Sequence, residues 1–145
     1  MDSSLQKAKQ IFINFLKDKN LNVTESREQV LQAVFSTHDH FDAEELLFLF
    51  KKQKIAVSRA TIYRTLDLLV ECQLVKKLSL GDSCSRYEHV FGHEHHDHLI
   101  CTQCGKIIEF YNDQIEALQR KICDENDFIE VEHSLRIFGL CKDCQ

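Results

Sequence analysis

Residues 58–87 read SRATIYRTLDLLVECQLVKKLSLGDSCSRY. From Ser58 onward, Ile62, Leu66, Leu69 and Val70 recur at the spacing of one helical face. From Leu74 the pattern changes: Leu74-Val75-Lys76-Lys77-Leu78 and Ser85-Arg86-Tyr87 read as two short strands around a Gly81-Asp82 turn. Upstream lie three further helical stripes. Ala8, Ile11, Phe12, Phe15 and Leu16 form the first; Val30, Leu31, Val34 and Phe35 form the second. The third starts at Asp42, an N-cap with Glu45 three residues on, and carries Leu46, Leu47 and Leu49. Four helices followed by a hairpin predict a winged helix-turn-helix.

Downstream the reading changes. His98-Leu99-Ile100-Cys101 and Lys106-Ile107-Ile108-Glu109-Phe110 read as strands about a Cys-x-x-Cys-Gly turn. A helix with Ile115, Leu118 and Ile122 on one stripe follows, and Val131 to Phe138 reads as a third strand. The whole chain is therefore expected to be α+β, with a small α/β domain after the winged helix. Composition shifts near residue 83, in Gly81-Asp82-Ser83-Cys84-Ser85, the candidate hinge, so the expected division is 1–84 and 85–145.

Charge is divided in the same way. Residues 1–87 hold 13 Lys+Arg against 11 Asp+Glu, a balance of +2, whereas residues 88–145 hold 5 against 12, a balance of -7. The chain-wide net charge of -5 therefore does not exclude a basic, nucleic-acid-facing surface on the first half. With 145 residues the chain holds one ordinary domain or two small ones, which excludes a large multidomain enzyme. A hydrophobic content of 43% argues against intrinsic disorder, and no apolar run reaches the roughly 18 residues of a membrane span. No secretory signal opens the sequence, so the expected location is the cytosol, without a membrane partner.

Seven cysteines and eight histidines are many for this length, and in a reducing compartment such cysteines suit metal better than disulfides. Cys101-x-x-Cys104 and Cys141-x-x-Cys144 form two knuckles able to give one Zn(II) ion four thiolates. The 36 residues between them are what the helix and third strand occupy if the chain's end returns to the first knuckle. The competing reading is a pair of redox disulfides. Cys72, Cys84 and Cys123 lack such spacing and read as small buried or incidental residues.

His93-Glu94-His95-His96-Asp97-His98 runs straight into a predicted strand, where successive side chains alternate between faces. If strand pairing already begins here, His96 and His98 share one face and His95 and Asp97 the other, so one segment can feed two metal sites. Imidazole and carboxylate together suit Fe, Mn, Zn, Co or Ni; the competing reading is a solvated histidine-rich loop. Known catalytic patterns do not match. A zinc-protease motif would need histidine at position 97, where Asp97 stands, and the zinc-deaminase motif needs proline in a chain that has none.

Several motifs stand in one order: Asn22-Val23-Thr24 with Arg27; Ser58 to Leu66; Arg86-Tyr87-Glu88; His95-His96-Asp97-His98-Leu99-Ile100-Cys101-x-x-Cys104-Gly105-Lys106; and His133-Ser134-Leu135. Together they resemble the ferric uptake regulator family over nearly the whole chain. The resemblance implies a homodimeric, metal-dependent transcription regulator rather than an enzyme, with no small-molecule substrate. Residues 1–84 would be its DNA-binding domain and 85–145 its dimerisation domain. It implies structural Zn(II) at Cys101, Cys104, Cys141 and Cys144, a regulatory site bridging the domains from His40, Glu88, His96, His98 and Glu109, and a third divalent site from His95, Asp97, Glu116 and His133.

For DNA it implies a recognition helix in the major groove, with Tyr63 and Arg64 near base edges and Arg59 or Thr61 near phosphate. The competing reading of Arg59 and Arg64 is a solvated helix face. Dimer symmetry predicts a double-stranded operator with an inverted repeat. Peroxide-sensing members usually carry Asp where Glu88 stands and Asn where Arg64 stands, so the chain resembles the iron-sensing branch. The expected regulatory metal is Fe(II), because the set is all nitrogen and oxygen; Mn(II) or Zn(II) can substitute. Zinc-sensing members often use a cysteine, and Cys84 keeps that alternative open. Two departures stand out: Ser26 replaces the usual proline before Arg27, and an interval about one residue longer near Phe91-Gly92 makes His89 or His93 substitute ligands. Outside the family, the alternatives are a metal-dependent hydrolase, which lacks a nucleophile or base motif beside the cluster, and a metal buffer, against which Ser58 to Leu66 argues.

Overall fold

The structure, a computed structural model, describes residues 3–37, 40–79, 85–92 and 94–145. His38, Cys84, His93 and most of the expected hinge lie outside the described residues. The chain forms two compact units, Met1–His93 and Glu94–Gln145. This division falls later than the expected 84/85 boundary, because Arg86 to His89 pair antiparallel with Leu78 to Val75 and so belong to the first unit.

The first unit comprises α1 (Ser3–Asp18), α2 (Glu25–Ser36), α3 (Ala43–Lys52), α4 (Arg59–Glu71), β1 (Val75–Leu78) and β2 (Arg86–His89). Three helices start on side-chain caps. The Thr24 and Ser58 hydroxyls accept from the amides of Arg27 and Thr61, and Asp42 with Glu45 closes a reciprocal capping box on α3. The helices deliver one apolar core, with Phe12 and Leu16 from α1, Val30 and Val34 from α2, Ile62, Leu66 and Leu69 from α4, and Tyr87 from β2. On α3 the core residues are Leu46, Leu47 and Phe50, while Leu49 is half-buried and Phe48 faces solvent. The run Leu-Leu-Phe-Leu-Phe offers apolar side chains on every face, so only packing selects the stripe.

α1, α3 and α4 end alike, with a left-handed residue that is not glycine: Asn20, Lys54 and Gln73 at φ 56°, 58° and 62°. In each case the next residue's amide reaches back to close the helix end, as Leu74 N donates to Leu69 O at 3.0 Å. A side chain in this conformation is strained where glycine is not. Gln73→Gly is expected to stabilise the first unit by ~0.5–1 kcal/mol, seen as a rise in its thermal midpoint; a fall would show that the Gln73 side chain outweighs the relieved strain.

The second unit comprises β3 (Asp97–Cys101), β4 (Ile107–Phe110), α5 (Asp113–Glu125), β5 (Arg136–Gly139) and a 3-10 turn at Lys142–Cys144. Its sheet has the order β4-β3-β5, with β4 antiparallel and β5 parallel to β3. The architecture is α+β. β5 starts at Arg136, later than the expected Val131, because side chains take the place of ladder partners before it: Leu135 N donates to the Asp97 carboxylate at 3.3 Å and His133 pairs with Glu116. The expected α5 stripe is also not buried within the chain. Leu118 and Ile122 are about 60% exposed, Phe128 beyond them 66%, and the buried residue of α5 is Glu116. Among the described residues after His93, the only buried apolar side chains are Ile100 and Cys101, beside buried Asp97, His98 and Glu116. No helix of the described residues is long and apolar enough to cross a membrane.

Candidate metal centres

The parallel pairing of β5 with β3 sets Gly139 beside Cys101, so the chain's last residues return to the turn after β3. In that turn Gly105, at φ 75°, takes the left-handed conformation that lets its amide donate back to Cys101 O at 2.9 Å. The sulfurs of Cys101, Cys104, Cys141 and Cys144 converge to within 4.8 Å of one another. Cys104 and Cys141 Sγ are 3.7 Å apart, and all four cysteines are free thiols. Tetrahedral Zn–S bonds of about 2.3 Å require sulfurs ~3.8 Å apart, so the quartet fits one ion rather than two disulfides. The Cys101 thiol, facing the backbone amides of Cys104 and Cys141, is lowered to about 6. Cys144 is pushed up to about 12, first by its hydrogen bond with Cys141 and then by desolvation. The backbone amides therefore favour the Cys101 thiolate, while at Cys144 the neighbouring thiols disfavour ionisation, which a cation among them would offset.

A second cluster lies within the same unit. His95 precedes β3, Asp97 opens it, Glu116 sits in the first turn of α5, and His133 lies in the segment before β5. His95 Nε2 is 3.3 Å from Asp97 Oδ1 and 3.2 Å from Glu116 Oε1, and His133 Nε2 is 3.0 Å from Glu116 Oε2. Asp97 and Glu116 are buried carboxylates. The buried atoms His95 Nε2, Asp97 Oδ2, Glu116 Oε1 and His133 Nε2 make no well-formed hydrogen bond among the described residues. Burying two carboxylates is costly without a compensating charge, and donor atoms aimed at one another rather than at hydrogen-bond partners suit a cation. Glu130 joins this cluster from the segment before β5. It contacts His133 Nδ1, and this contact, followed by Glu116 at the other nitrogen, raises the imidazole above the usual histidine range. Nothing in the sequence separates Glu130 from the other carboxylates of residues 124–132.

The alternation along 95–98 assigns the remaining histidines to the other face. The His96 and His98 rings meet edge-on with centroids 4.9 Å apart, His98 faces Glu109 across the β3–β4 ladder, and His96 Nε2 lies 3.5 Å from Glu109 Oε1. In the first unit, His40 Nε2 and Glu88 Oε2 form a 2.9 Å pair, both side chains at least nine-tenths buried. His89 stacks on Phe35, at 4.9 Å between centroids. Cys72 is half-buried against Leu69 O with its thiol pushed up by burial, and Cys123 approaches Glu130.

On α4, Ile62, Thr65, Leu66 and Leu69 face the core, leaving Arg59, Tyr63 and Arg64 exposed. Thr61 is partly engaged by the cap, its hydroxyl 2.9 Å from Ser58 Oγ, and Arg59 pairs with Glu44 at 3.1 Å. Arg64 and Thr61 line an open cleft of about 430 Å³ with Asn22, Thr24 and Arg27. This exposed, polar helix face, flanked by a hairpin, is a shape that enters a DNA groove.

The family model of the ferric uptake regulator family matches residues 18–138. The ferric uptake regulation protein of Neisseria meningitidis serogroup A is 38% identical over 132 residues, covering 90% of each chain. The peroxide-responsive repressor of Staphylococcus saprophyticus is 35% identical over 133 residues, covering 92% of this chain and 88% of its own. Among solved structures, the Helicobacter pylori ferric uptake regulator, in which three functional metal-binding sites are described, superposes with a TM-score of 0.85 at 29% identity, over 99% of this chain and 97% of that one. With the match spanning both units, the chain belongs to the ferric uptake regulator family and is a metal-responsive, DNA-binding transcription regulator.

Proposed function

We infer that the chain is an Fe(II)-dependent repressor of iron-uptake genes that works in the cytosol as a homodimer on an inverted-repeat operator. The observation that carries the reading is the distribution of one all-nitrogen-and-oxygen ligand set: His40 and Glu88 belong to the first unit, and His96, His98 and Glu109 to the second. A divalent cation supplies positive charge that ligands from both units can share only in one relative orientation of the two. Differential affinity of this kind is what shifts a population of conformers toward the one that fits DNA.

The remaining assignments follow the same chemistry. Cys101, Cys104, Cys141 and Cys144 hold a structural Zn(II), and His95, Asp97, Glu116 and His133 hold a further divalent ion. Residues 1–93 read DNA through Tyr63 and Arg64 at base edges and Arg59 or Thr61 at phosphate. The exposed apolar residues Leu118, Ile122, Phe128, Ile129 and Val131 form the surface a second copy covers in the dimer.

The test is operator binding by zinc-loaded protein titrated with Fe(II), Mn(II) and Zn(II). Fe(II) is expected to raise operator affinity, saturating at one regulatory ion per protomer, with Mn(II) substituting. Half-saturation by Zn(II) far below that by Fe(II) would move the chain to the zinc-sensing branch. Loss of the Fe(II) response on exposure to peroxide, with oxidation of a ligand histidine seen by mass spectrometry, would move it to the peroxide-sensing one, the function of the Staphylococcus relative.

A further inference from the structure

His40 and Glu88 are held together by more than their own 2.9 Å contact. Phe41 and Tyr87 form an isolated antiparallel bridge, with Phe41 N donating to Tyr87 O at 3.0 Å and Tyr87 N to Phe41 O at 2.7 Å. Antiparallel register then sets His40 opposite Glu88 on one side of the bridge and Asp42 opposite Arg86 on the other. Asp42 is the N-cap of α3, so the ligand pair and the start of that helix are flanking positions of one short ladder.

Arg86 occupies the junction. One terminal guanidinium nitrogen donates to His40 O at 3.0 Å and lies 3.9 Å from Glu45 Oε2. That same carboxylate oxygen accepts the Asp42 amide at 2.9 Å, while Glu45 N donates to Asp42 Oδ1 at 2.8 Å, closing the capping box. Arg86 Nε is buried and makes no hydrogen bond among the described residues, so the hold rests on the guanidinium tip. The other end of the connection runs through α3, which packs against the recognition helix α4.

We propose that Arg86 is a positioning residue for the regulatory metal: by holding the His40 carbonyl and sharing Glu45 with the α3 cap, it sets the imidazole against Glu88 and ties that ligand pair to the helices that read DNA. The proposal rests on the assignment of His40 and Glu88 as ligands. An imidazole can bind a cation tightly only where its backbone is already fixed, because ordering it on binding subtracts from affinity. Groups that orient a ligand histidine typically contribute about 10- to 100-fold to metal affinity. By linkage, whatever Arg86 adds to binding in the DNA-competent conformer returns as operator affinity when metal is bound.

The full chain with its cysteine-bound zinc in place is titrated with Mn(II) as wild type, Arg86→Ala, Arg86→Lys and Glu88→Ala, and its thermal midpoint before Mn(II) addition is recorded. The His40 imidazole resonance of the same Mn(II)-free samples is compared by NMR. Arg86→Ala is expected to bind Mn(II) at least about tenfold more weakly, with an unchanged midpoint and a displaced His40 resonance. Arg86→Lys, which keeps a charged donor on the same strand, is expected to recover most of the affinity. Glu88-dependent Mn(II) binding that is as tight in Arg86→Ala as in wild type would overturn the role of Arg86 alone. A loss in Arg86→Ala that comes with a lowered midpoint and no recovery in Arg86→Lys would overturn it too, as plain structural damage. Mn(II) binding undiminished in Glu88→Ala would instead remove the ligand assignment on which the proposal stands.

Discussion

Cys104→Ser is expected to release the structural zinc, unfold residues 94–145 and abolish the dimer, while the helices of the first unit keep their own melting transition. The size of the effect follows from what the second unit has to hold it together. Its described residues bury only Ile100 and Cys101 as apolar side chains and leave most of α5's apolar face exposed. A core so small cannot offset chain entropy without a staple. The quartet joins the turn after β3 to the chain's end across the whole of β4, α5 and β5. Zinc-finger peptides gain roughly 10–16 kcal/mol of apparent free energy from such a site, as large as the ~5–15 kcal/mol of a whole domain's stability. A serine hydroxyl does not replace a thiolate, so metal analysis is expected to show the loss of one zinc per protomer, circular dichroism to lose the α5 contribution, and the native mass to fall to a monomer. Unchanged zinc content, melting and mass in Cys104→Ser would refute the structural assignment.

Local signals carried much of the first unit. Ser58 with Thr61 and Asp42 with Glu45 are caps whose partners lie three residues away, so the starts of α4 and α3 are readable from adjacent residues. The stripe on α3 was not readable, since every face of Leu46 to Phe50 is apolar and long-range packing alone turns Phe50 inward and Phe48 outward. The start of β5 is hidden in the sequence for a related reason. Val131 to Leu135 alternates as a strand does, but the Asp97 carboxylate takes the Leu135 amide, and His133 turns to Glu116 and Glu130.

The same distinction separates the site residues. Two knuckles of Cys-x-x-Cys declare themselves by spacing, and the two faces of residues 95–98 by an alternation that starts just ahead of β3 and continues into it. Glu130 carries no such mark, and the Arg86-Tyr87-Glu88 motif does not say what the Arg86 side chain touches. Each acts on a histidine through a contact that exists only in the fold: Glu130 at His133 Nδ1, and Arg86 at the carbonyl of His40, whose position in sequence is 46 residues away. Supporting residues of this kind are chosen by geometry, and a carboxylate or guanidinium in sequence looks like any other charged surface group.

Stripping the regulatory metal while leaving the cysteine-bound zinc is expected to weaken operator binding by at least about 100-fold, and Glu88→Ala is expected to keep the protein in that weak state even with Fe(II) present. Moving a two-state population from about 1:99 to 99:1 requires roughly 10⁴-fold preference for one state, near 5.5 kcal/mol. On the proposed ligand assignment, His40 and Glu88, at 10% and 7% side-chain exposure, would act with His96, His98 and Glu109 as a set whose affinity for a divalent ion supplies a difference of that order. In the proposed mechanism the contacts to DNA belong to the first unit and do not themselves change. Salt dependence therefore separates a population shift from a loss of contacts: the slope of log affinity against log salt is expected to be the same with and without metal, and only its intercept to fall. A shallower slope in the metal-free protein would mean that metal adds phosphate contacts instead of selecting a conformer. Operator affinity unaltered after chelation, with zinc still bound, would end the corepressor mechanism altogether.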